Sequence, residues 1–173
     1  MNSFIIAVLL LFAGTATAAE ERSFAEQAVT LLSKGQTGIA STIEKDKPYL
    51  SSMPFVIDSE GRPIVFISDL ARHTDNIQKN PNASLIVNQP DEKGSYFNGS
   101  RVTLEGKFVQ VTDEKEIAAC RKVYMERFKE AKLWADFGDF NYYRLEINKI
   151  FFIGGFGDID YVDLKDYKGA LKK

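Results

Sequence analysis

The sequence predicts an α+β fold that is mainly β: a small barrel, closed or nearly closed, of short antiparallel strands with helices packed outside it. Three observations lead to this prediction. Five short segments rich in Val, Ile, Phe or Thr follow one another between turn residues. One helical pattern precedes these segments and another follows them. A last apolar segment near the C-terminus then ends in glycines.

The first helix is predicted to begin after Ser23. Ser23-Phe-Ala-Glu26 is a capping-box pattern, and the apolar residues after it keep helical spacing up to Gly35. The five strands are expected at residues 37–44, 49–57, 63–68, 84–88 and 101–112. Asp58-Ser-Glu-Gly-Arg62 is a strong turn sequence, so the second and third strands should form a hairpin. Alternation in the fifth strand is interrupted near Gly106, where a β-bulge would fit.

The second helix is predicted to begin at Asp113, because Asp113-Glu-Lys-Glu116 places negative charge at a helix N-terminus. Four residues at helical spacing then form one apolar face: Ile117, Cys120, Tyr124 and Phe128. Cys120 is the only cysteine of the chain, so we expect a buried thiol that packs as a small hydrophobe. The final apolar strand is expected at 151–157.

The composition indicates one globular domain and argues against nucleic-acid binding. The 173 residues are enough for a sizeable core, and 45% apolar with 12% aromatic residues excludes a disordered chain. The net charge of −2 gives no electrostatic basis for binding a polyanion, which usually requires a basic patch.

Residues 1–19 have the features of a secretory signal peptide. Residues 4–12 form an apolar run that is too short to cross a bilayer, and Ala16-Thr-Ala18 is an A-x-A cleavage pattern. The segment before the run lacks Lys and Arg, and the alternative is a buried N-terminal helix. We therefore expect a secreted or periplasmic protein whose domain is residues 20–173, with no membrane span after cleavage.

The segment Arg62–Val87 carries the most informative pattern of the chain. Two β-branched runs flank a polar, helix-competent stretch that contains the only histidine, His73. A cation pair at a helix start, here Arg72-His73, can hold an anion such as a phosphate together with free backbone N–H groups. The alternative is a solvated helix start at which Asn76 and Asn80 serve only as caps.

The order and spacing of Arg62–Val87 resemble the flavin-phosphate segment of the pyridoxamine-5′-phosphate-oxidase-like split barrels. The likeness is to the branch of the CREG-like glycoproteins and the bacterial haem-utilisation proteins, and it extends from about Phe24 to Tyr167. It implies a split β-barrel of antiparallel strands with flanking helices, and a homodimer that buries FMN between two protomers. The aromatic residues around 137–143 would then lie exposed, as expected of a dimer contact.

The resemblance also assigns the cofactor contacts to nine residues: Ser51, Ser52, Met53, Ile67, Ser68, Arg72, His73, Thr74 and Arg101. The first three would lie along the isoalloxazine ring, the next two would meet the ribityl phosphate, and residues 72–74 would hold the phosphate. Arg101 opens the strand Arg-Val-Thr-Leu-Glu-Gly, which looks like the family's R-x-T-x-x-G strand and would reach the flavin edge. No catalytic residue and no metal ligand is assigned.

Three departures from the family pattern bear on function. The oxidase has an arginine near the position of Ser51 and an Arg-Lys pair near Arg72-His73, so this chain offers fewer fixed cations. It also lacks the C-terminal Arg-Leu-His-Asp-Arg motif, which disfavours oxidation of pyridoxine phosphate. The haem-utilisation proteins use a C-terminal histidine to ligate haem, and the tail Lys165–Lys173 contains none, which disfavours haem degradation.

The resemblance therefore leads us to expect an exported, homodimeric FMN flavoprotein that acts as an oxidoreductase on a small substrate. The alternative is a CREG-like binding or signalling module that keeps the fold, dimerises and carries no cofactor. The retained Arg72-His73 pair favours the flavin, whereas Ser51 in place of an arginine favours the cofactor-free module.

Overall fold

The computed structural model describes residues 22–172, and the signal-peptide prediction for residues 1–19 falls outside them. The described residues form four α-helices: α1 Phe24–Lys34, α2 Arg72–Lys79, α3 Glu114–Arg127 and α4 Leu164–Ala170. They form eight strands: β1 Thr37–Glu44, β2 Lys47–Pro54, β3 Val56–Ile57, β4 Pro63–Ser68, β5 Asn82–Gln89, β6 Ser100–Gln110, β7 Phe140–Gly155 and β8 Asp158–Val162. A short 3₁₀ helix, Lys129–Leu133, follows α3.

The strands pair in one antiparallel sheet in the order β2-β1-β5-β6-β7-β4-β3, and β8 also pairs with β7. β7 is sixteen residues long, and its two halves have different neighbours. Residues 140–144 pair with β4 and residues 150–155 with β8, while β6 pairs along the other edge. The result is a mostly antiparallel half-barrel with four flanking helices, as the sequence predicted.

The inside of the half-barrel forms the main core. Ala28 and Leu32 of α1 are buried in one cluster with sheet residues that include Leu85, Leu104 and Phe152. The predicted capping box fixes the start of α1, because Ser23 and Glu26 each accept a hydrogen bond from the other's backbone N–H.

α3 packs outside the β3–β4 hairpin. Cys120 and Tyr124 lie in a second buried cluster with Ile64 of β4 and Tyr142 of β7. The guanidinium of Arg127 donates hydrogen bonds of 2.7–3.0 Å to three carbonyls at the end of α1: Ser33, Lys34 and Gly35. These contacts satisfy carbonyls at the end of a helix, where intrahelical partners are missing, and they connect α3 to α1.

Most local predictions from the sequence are confirmed. α1, β1, β4 and α3 occur where they were expected, and the register of β6 shifts between Glu105 and Gly106, as a bulge requires. Cys120 is buried. The predicted second strand is interrupted at Phe55, which separates β2 from β3. No helix within residues 22–172 is both long and apolar enough to cross a membrane.

The prediction that the aromatic segment 137–143 is exposed was wrong for its second half. Phe137 is exposed, but Tyr142 and Tyr143 are both buried. β7 lies between β4 and β6, so that Tyr142 packs under α3 on one face while Tyr143 points into the main core on the other.

Candidate functional site

The turn between β4 and α2 brings together four of the nine predicted site residues: Ser68, Arg72, His73 and Thr74. The buried hydroxyl of Thr74 donates to the carbonyl of Ser68 at 2.7 Å, and the backbone N–H of Ala71 donates to the same oxygen at 3.1 Å. Both donors hold the turn closed on the last residue of β4. The side chain of Thr74 is therefore used within the turn.

Polar side chains connect this turn to the start of β7. The hydroxyl of Ser68 donates to the carboxylate of Asp139 and accepts from the backbone N–H of Leu70 at 3.1 Å. The amide of Asn141 donates to the carboxylate of Asp69 at 2.9 Å. The position of the turn is thus set by tertiary contacts as well as by its own backbone, which is the support that a precise binding site needs.

A buried polar chain fixes α2 on the β1–β2 hairpin. The amide of Asn76 donates to the hydroxyl of Thr42 at 3.1 Å, and that hydroxyl donates to the carbonyl of Tyr49 at 3.3 Å. Asn76 and Thr42 are both fully enclosed. Asn76 is therefore a tertiary anchor of the helix and not only a cap.

His73 lies in the first turn of α2 and is half-buried. Burial lowers the pKa of its imidazole, because desolvation disfavours the charged form. Burial therefore favours the neutral ring, in which one nitrogen has a free lone pair. Ala71, the N-cap of α2, has no side chain that could cap the helix, although its carbonyl accepts from the N–H groups of Thr74 and Asp75 at 3.0 and 3.2 Å.

Arg72 does not point freely into solvent. Its guanidinium carbon lies 5.5 Å from the centre of the Tyr49 ring, and its Nε is 3.7 Å from an oxygen of Glu44. Glu44 ends β1, and Tyr49 lies in β2. Neither residue was predicted for the site. Only the pairing of the hairpin with α2 brings them to Arg72.

The four remaining predicted residues of β2 and β4 divide between the two faces of their strands. Met53 and Ile67 are buried in the main core, so their side chains are occupied by packing. Ser51 is half-buried, and Ser52, on the opposite face of β2, is exposed. Period-two alternation along the strands separates these residues.

Arg101 lies far from the α2 turn within one chain. It pairs with Asn88 at the end of β5, whereas the chain enters β5 from α2 at Asn82. Six residues of strand correspond to roughly 20 Å. The structure therefore brings Ser68, Arg72, His73 and Thr74 together and leaves Arg101 at the other end of the sheet.

An aromatic groove that the sequence did not predict lies beside β4 and α3. It is a cavity of about 270 Å³ lined mainly by apolar residues: Pro54, Phe66, Tyr124, Phe128, Ala131, Trp134 and Phe140, with Glu130 at its edge. Phe66 and Ser68 are two residues apart on β4, so they point to the same face. Phe140 is the partner of Ser68 in the sheet, which places the groove next to the α2 turn.

The groove has a buried polar atom behind it. The ring of Tyr142 stacks on Phe66 with ring centres 4.5 Å apart, and burial raises the pKa of its hydroxyl to about 12. This hydroxyl is the one buried side-chain polar atom within residues 22–172 that has no hydrogen-bond partner. A larger cavity of about 620 Å³ lies under α4, but its lining is charged and includes no residue of α2 or β2.

The fold and the α2 turn define a small split barrel of the pyridoxamine-5′-phosphate-oxidase-like class, on the branch shared by the CREG-like and haem-utilisation proteins. The family model described as CREG, beta-barrel matches residues 19–169, and the chain belongs to that family.

Two proteins of similar sequence and one solved structure are similar to this chain. The chloroplastic non-canonical haem oxygenase HOZ of Arabidopsis thaliana is 35% identical over 133 residues, which are 75% of this chain and 40% of the relative. The haem oxygenase HutZ of Vibrio cholerae is 30% identical over 136 residues, 75% of this chain and 76% of the relative. A haem-binding protein from Mycobacterium smegmatis superposes with a TM-score of 0.80 at 27% identity and covers 86% of this chain and 61% of its own.

These relatives correct the cofactor, the activity and the location that were expected from the sequence. Both sequence relatives and the mycobacterial structure are named for haem, so the FMN cofactor, the flavoprotein oxidoreductase and the cofactor-free alternative were wrong. The two sequence relatives are named haem oxygenases, so haem degradation, which the C-terminal tail disfavoured, is a candidate again. The secreted or periplasmic location is also corrected, since the relative whose name gives a compartment is chloroplastic.

Proposed function

We propose that this chain binds haem. The observation that carries this proposal is its membership of a family in which two relatives, at 35% and 30% identity, are haem oxygenases. The mycobacterial haem-binding protein also supports the proposal, because it shares the fold and is 27% identical in sequence. Those names describe the relatives, so haem binding by this chain depends on whether its own residues fit haem.

The candidate site contains the groups that a haem needs. His73 is the only histidine of the chain, and burial lowers its pKa, which favours the neutral form that ligates iron. The aromatic groove offers an apolar surface for a porphyrin face, and Arg72 offers a cation for a propionate. When bound, haem would supply redox chemistry at its iron, while the protein would bind and orient the macrocycle.

The groove alone is small for such a ligand. Its 270 Å³ lies below the usual range for ligand sites, about 300–1,000 Å³, so a single chain would cover only part of a porphyrin. We propose that a second copy of the chain covers the rest. A homodimer would also explain why Arg101 and the α2 turn, both of which the family pattern singles out, lie at opposite ends of one sheet.

A haemin titration tests this function. We expect the parent protein to bind haemin with a Soret band that is shifted and sharpened relative to free haemin. His73→Ala should weaken binding at least about tenfold, because it removes the only imidazole. Lys79→Ala, on the same helix, should bind as the parent does. No Soret change with the parent would contradict haem binding. Equal affinity in the His73→Ala variant would exclude His73 as a ligand.

A second candidate function, oxidative cleavage of haem, is favoured because both sequence relatives are haem oxygenases. The loaded protein should lose its Soret absorbance when ascorbate is added in air. Free peroxide can also degrade the porphyrin without help from the protein, and catalase removes free peroxide. If the protein itself cleaves haem, the loss of absorbance should therefore continue when catalase is present. A stable Soret band under these conditions would leave binding as the function.

A further inference from the structure

We propose that Glu44 and Arg72 form an electrostatic latch, in which Glu44 occupies Arg72 until a carboxylate of the ligand displaces it. This inference rests on the proposed haem function and adds a specificity determinant to it. The ligand class is an apolar molecule with free carboxylates, such as haem with its two propionates.

The backbone around the latch is held by a tight hairpin turn and by a buried hydrogen bond. Lys45 and Asp46 both have positive φ, 47° and 65°, as in a two-residue type I′ hairpin, so the position of Glu44 at the end of β1 is fixed. The buried Asn76–Thr42 hydrogen bond fixes α2 on the same hairpin. The side chain of Arg72, 63% exposed, is the part of this unit that can move.

The contact between the two side chains contributes little to the stability of the fold. A single N–O distance of 3.7 Å between exposed groups contributes little, and solvent screens it. A guanidinium can hold a carboxylate through two parallel N–H groups, but the contact with Glu44 is made at Nε. A ligand carboxylate could therefore bind Arg72 better than Glu44 does.

The Tyr49 ring makes the movement of Arg72 measurable and limits it. The guanidinium lies 5.5 Å from the ring centre, a cation–π contact that keeps Arg72 close to the hairpin. The other charged groups on the adjoining elements are Lys45 and Asp46 in the hairpin turn, Lys47, opposite Glu44 in the ladder, and Asp75, which is paired with Lys79 at 2.7 Å. Asp75 is therefore a carboxylate close to Arg72 in sequence that is already paired with Lys79.

The test compares haemin with haemin dimethyl ester, which has the same iron and macrocycle but no free carboxylates. The parent should prefer haemin. Arg72→Gln should weaken haemin binding about tenfold and leave the ester unchanged. Glu44→Gln should strengthen haemin binding about two- to fivefold, because it removes the competing carboxylate, and should also leave the ester unchanged. Asp75→Asn, the matched control, should bind both ligands as the parent does.

Nuclear magnetic resonance of the Arg72 Nε–H group gives a second readout that needs no iron. Metal-free protoporphyrin IX should move this resonance away from the position set by the Tyr49 ring, and its dimethyl ester should not. Unchanged or weaker haemin binding in Glu44→Gln would overturn the latch while haem binding stands. Equal binding of haemin and ester by the parent would do the same. If the parent binds neither, both the latch and the proposed function fail.

Discussion

A single tyrosine hydroxyl joins the last helix of the chain to the turn between β3 and β4. The hydroxyl of Tyr167 is buried and donates to the carbonyl of Gly61 at 2.7 Å. Burial also raises the pKa of this phenol, so it stays protonated as a donor throughout the physiological range. Loss of the hydroxyl would leave a buried carbonyl without this partner.

Tyr167→Phe should therefore lower the free energy of unfolding by about 1–2 kcal/mol, the usual cost of an unsatisfied buried group. Urea unfolding followed by circular dichroism measures it. Tyr161→Phe is the matched control, since its ring is exposed on β8, and should change stability by less than about 0.5 kcal/mol. Equal stability of both variants would show that the Tyr167 bond contributes nothing.

His73 makes a second residue-scale prediction, on pH dependence. Because its pKa is lowered in the folded chain, the unfolded chain binds more protons between that pKa and about 6.5. The stability that the neutral ring contributes is present above about pH 6.5 and is lost as the pH falls through this window. Without haem, the parent should lose stability between pH 7 and pH 5 more steeply than His73→Gln. Parallel pH profiles of the two proteins would contradict this assignment.

At the scale of elements, the β6 bulge depends on one glycine. A Cβ added to Gly106 would overlap the carbonyl oxygen of Glu146 on β7, so the two strands approach too closely there for any side chain. Gly106→Ala should cost about 2–3 kcal/mol of stability, in the range of an overpacked core. Gly138→Ala, where nothing lies within 4 Å of the added atom, should be nearly neutral. Thermal unfolding of both variants measures this cost, and equal melting temperatures would show that β6 and β7 can accommodate a side chain at Gly106.

The elements that the sequence predicted well are those with a local signal. Ser23 accepts a backbone hydrogen bond at the start of α1, as its capping-box pattern predicted, and Asp113 caps the helix whose start was predicted from the negative charge of residues 113–116. The residue pattern by itself predicted only the end of β7, because polar residues such as Glu146 and Lys149 interrupt the apolar pattern. Its full length depends on pairing with β4, β6 and β8, which are distant in sequence, so no local pattern could predict it.

The same distinction applies to the candidate site. Ser68, Arg72, His73 and Thr74 lie within one turn, so a short motif could predict their proximity. The contact of Arg72 with Glu44 needs the packing of α2 on β1, and the aromatic groove needs α3 to pack on β4. These are tertiary facts. The inward direction of Met53 and Ile67 did have a signal, the period-two alternation of their strands.

At the scale of the whole molecule, the outer face of the sheet has an apolar row. Five residues stand opposite one another across five strands: Ile39, Ile86, Thr103, Phe151 and Tyr161. Directly opposed residues of antiparallel strands share one face. Ile39 and Tyr161 at the two ends are exposed, and the rings of Phe151 and Tyr161 lie 5.0 Å apart. This row now supports the proposed homodimer better than the partly buried segment 137–143 does.

If two copies meet through this face, sedimentation of the parent at micromolar concentration should give twice the chain mass. Ile39→Asp should yield monomers, because two-fold symmetry places each new charge in the contact twice, where burial without a partner is costly. Leu133→Asp is the control, because Leu133 is also apolar and exposed but lies on the 3₁₀ helix, and this variant should remain dimeric. Circular dichroism checks that each variant is folded. A monomeric parent would remove the proposed homodimer, and a dimeric Ile39→Asp variant would place the contact on another face.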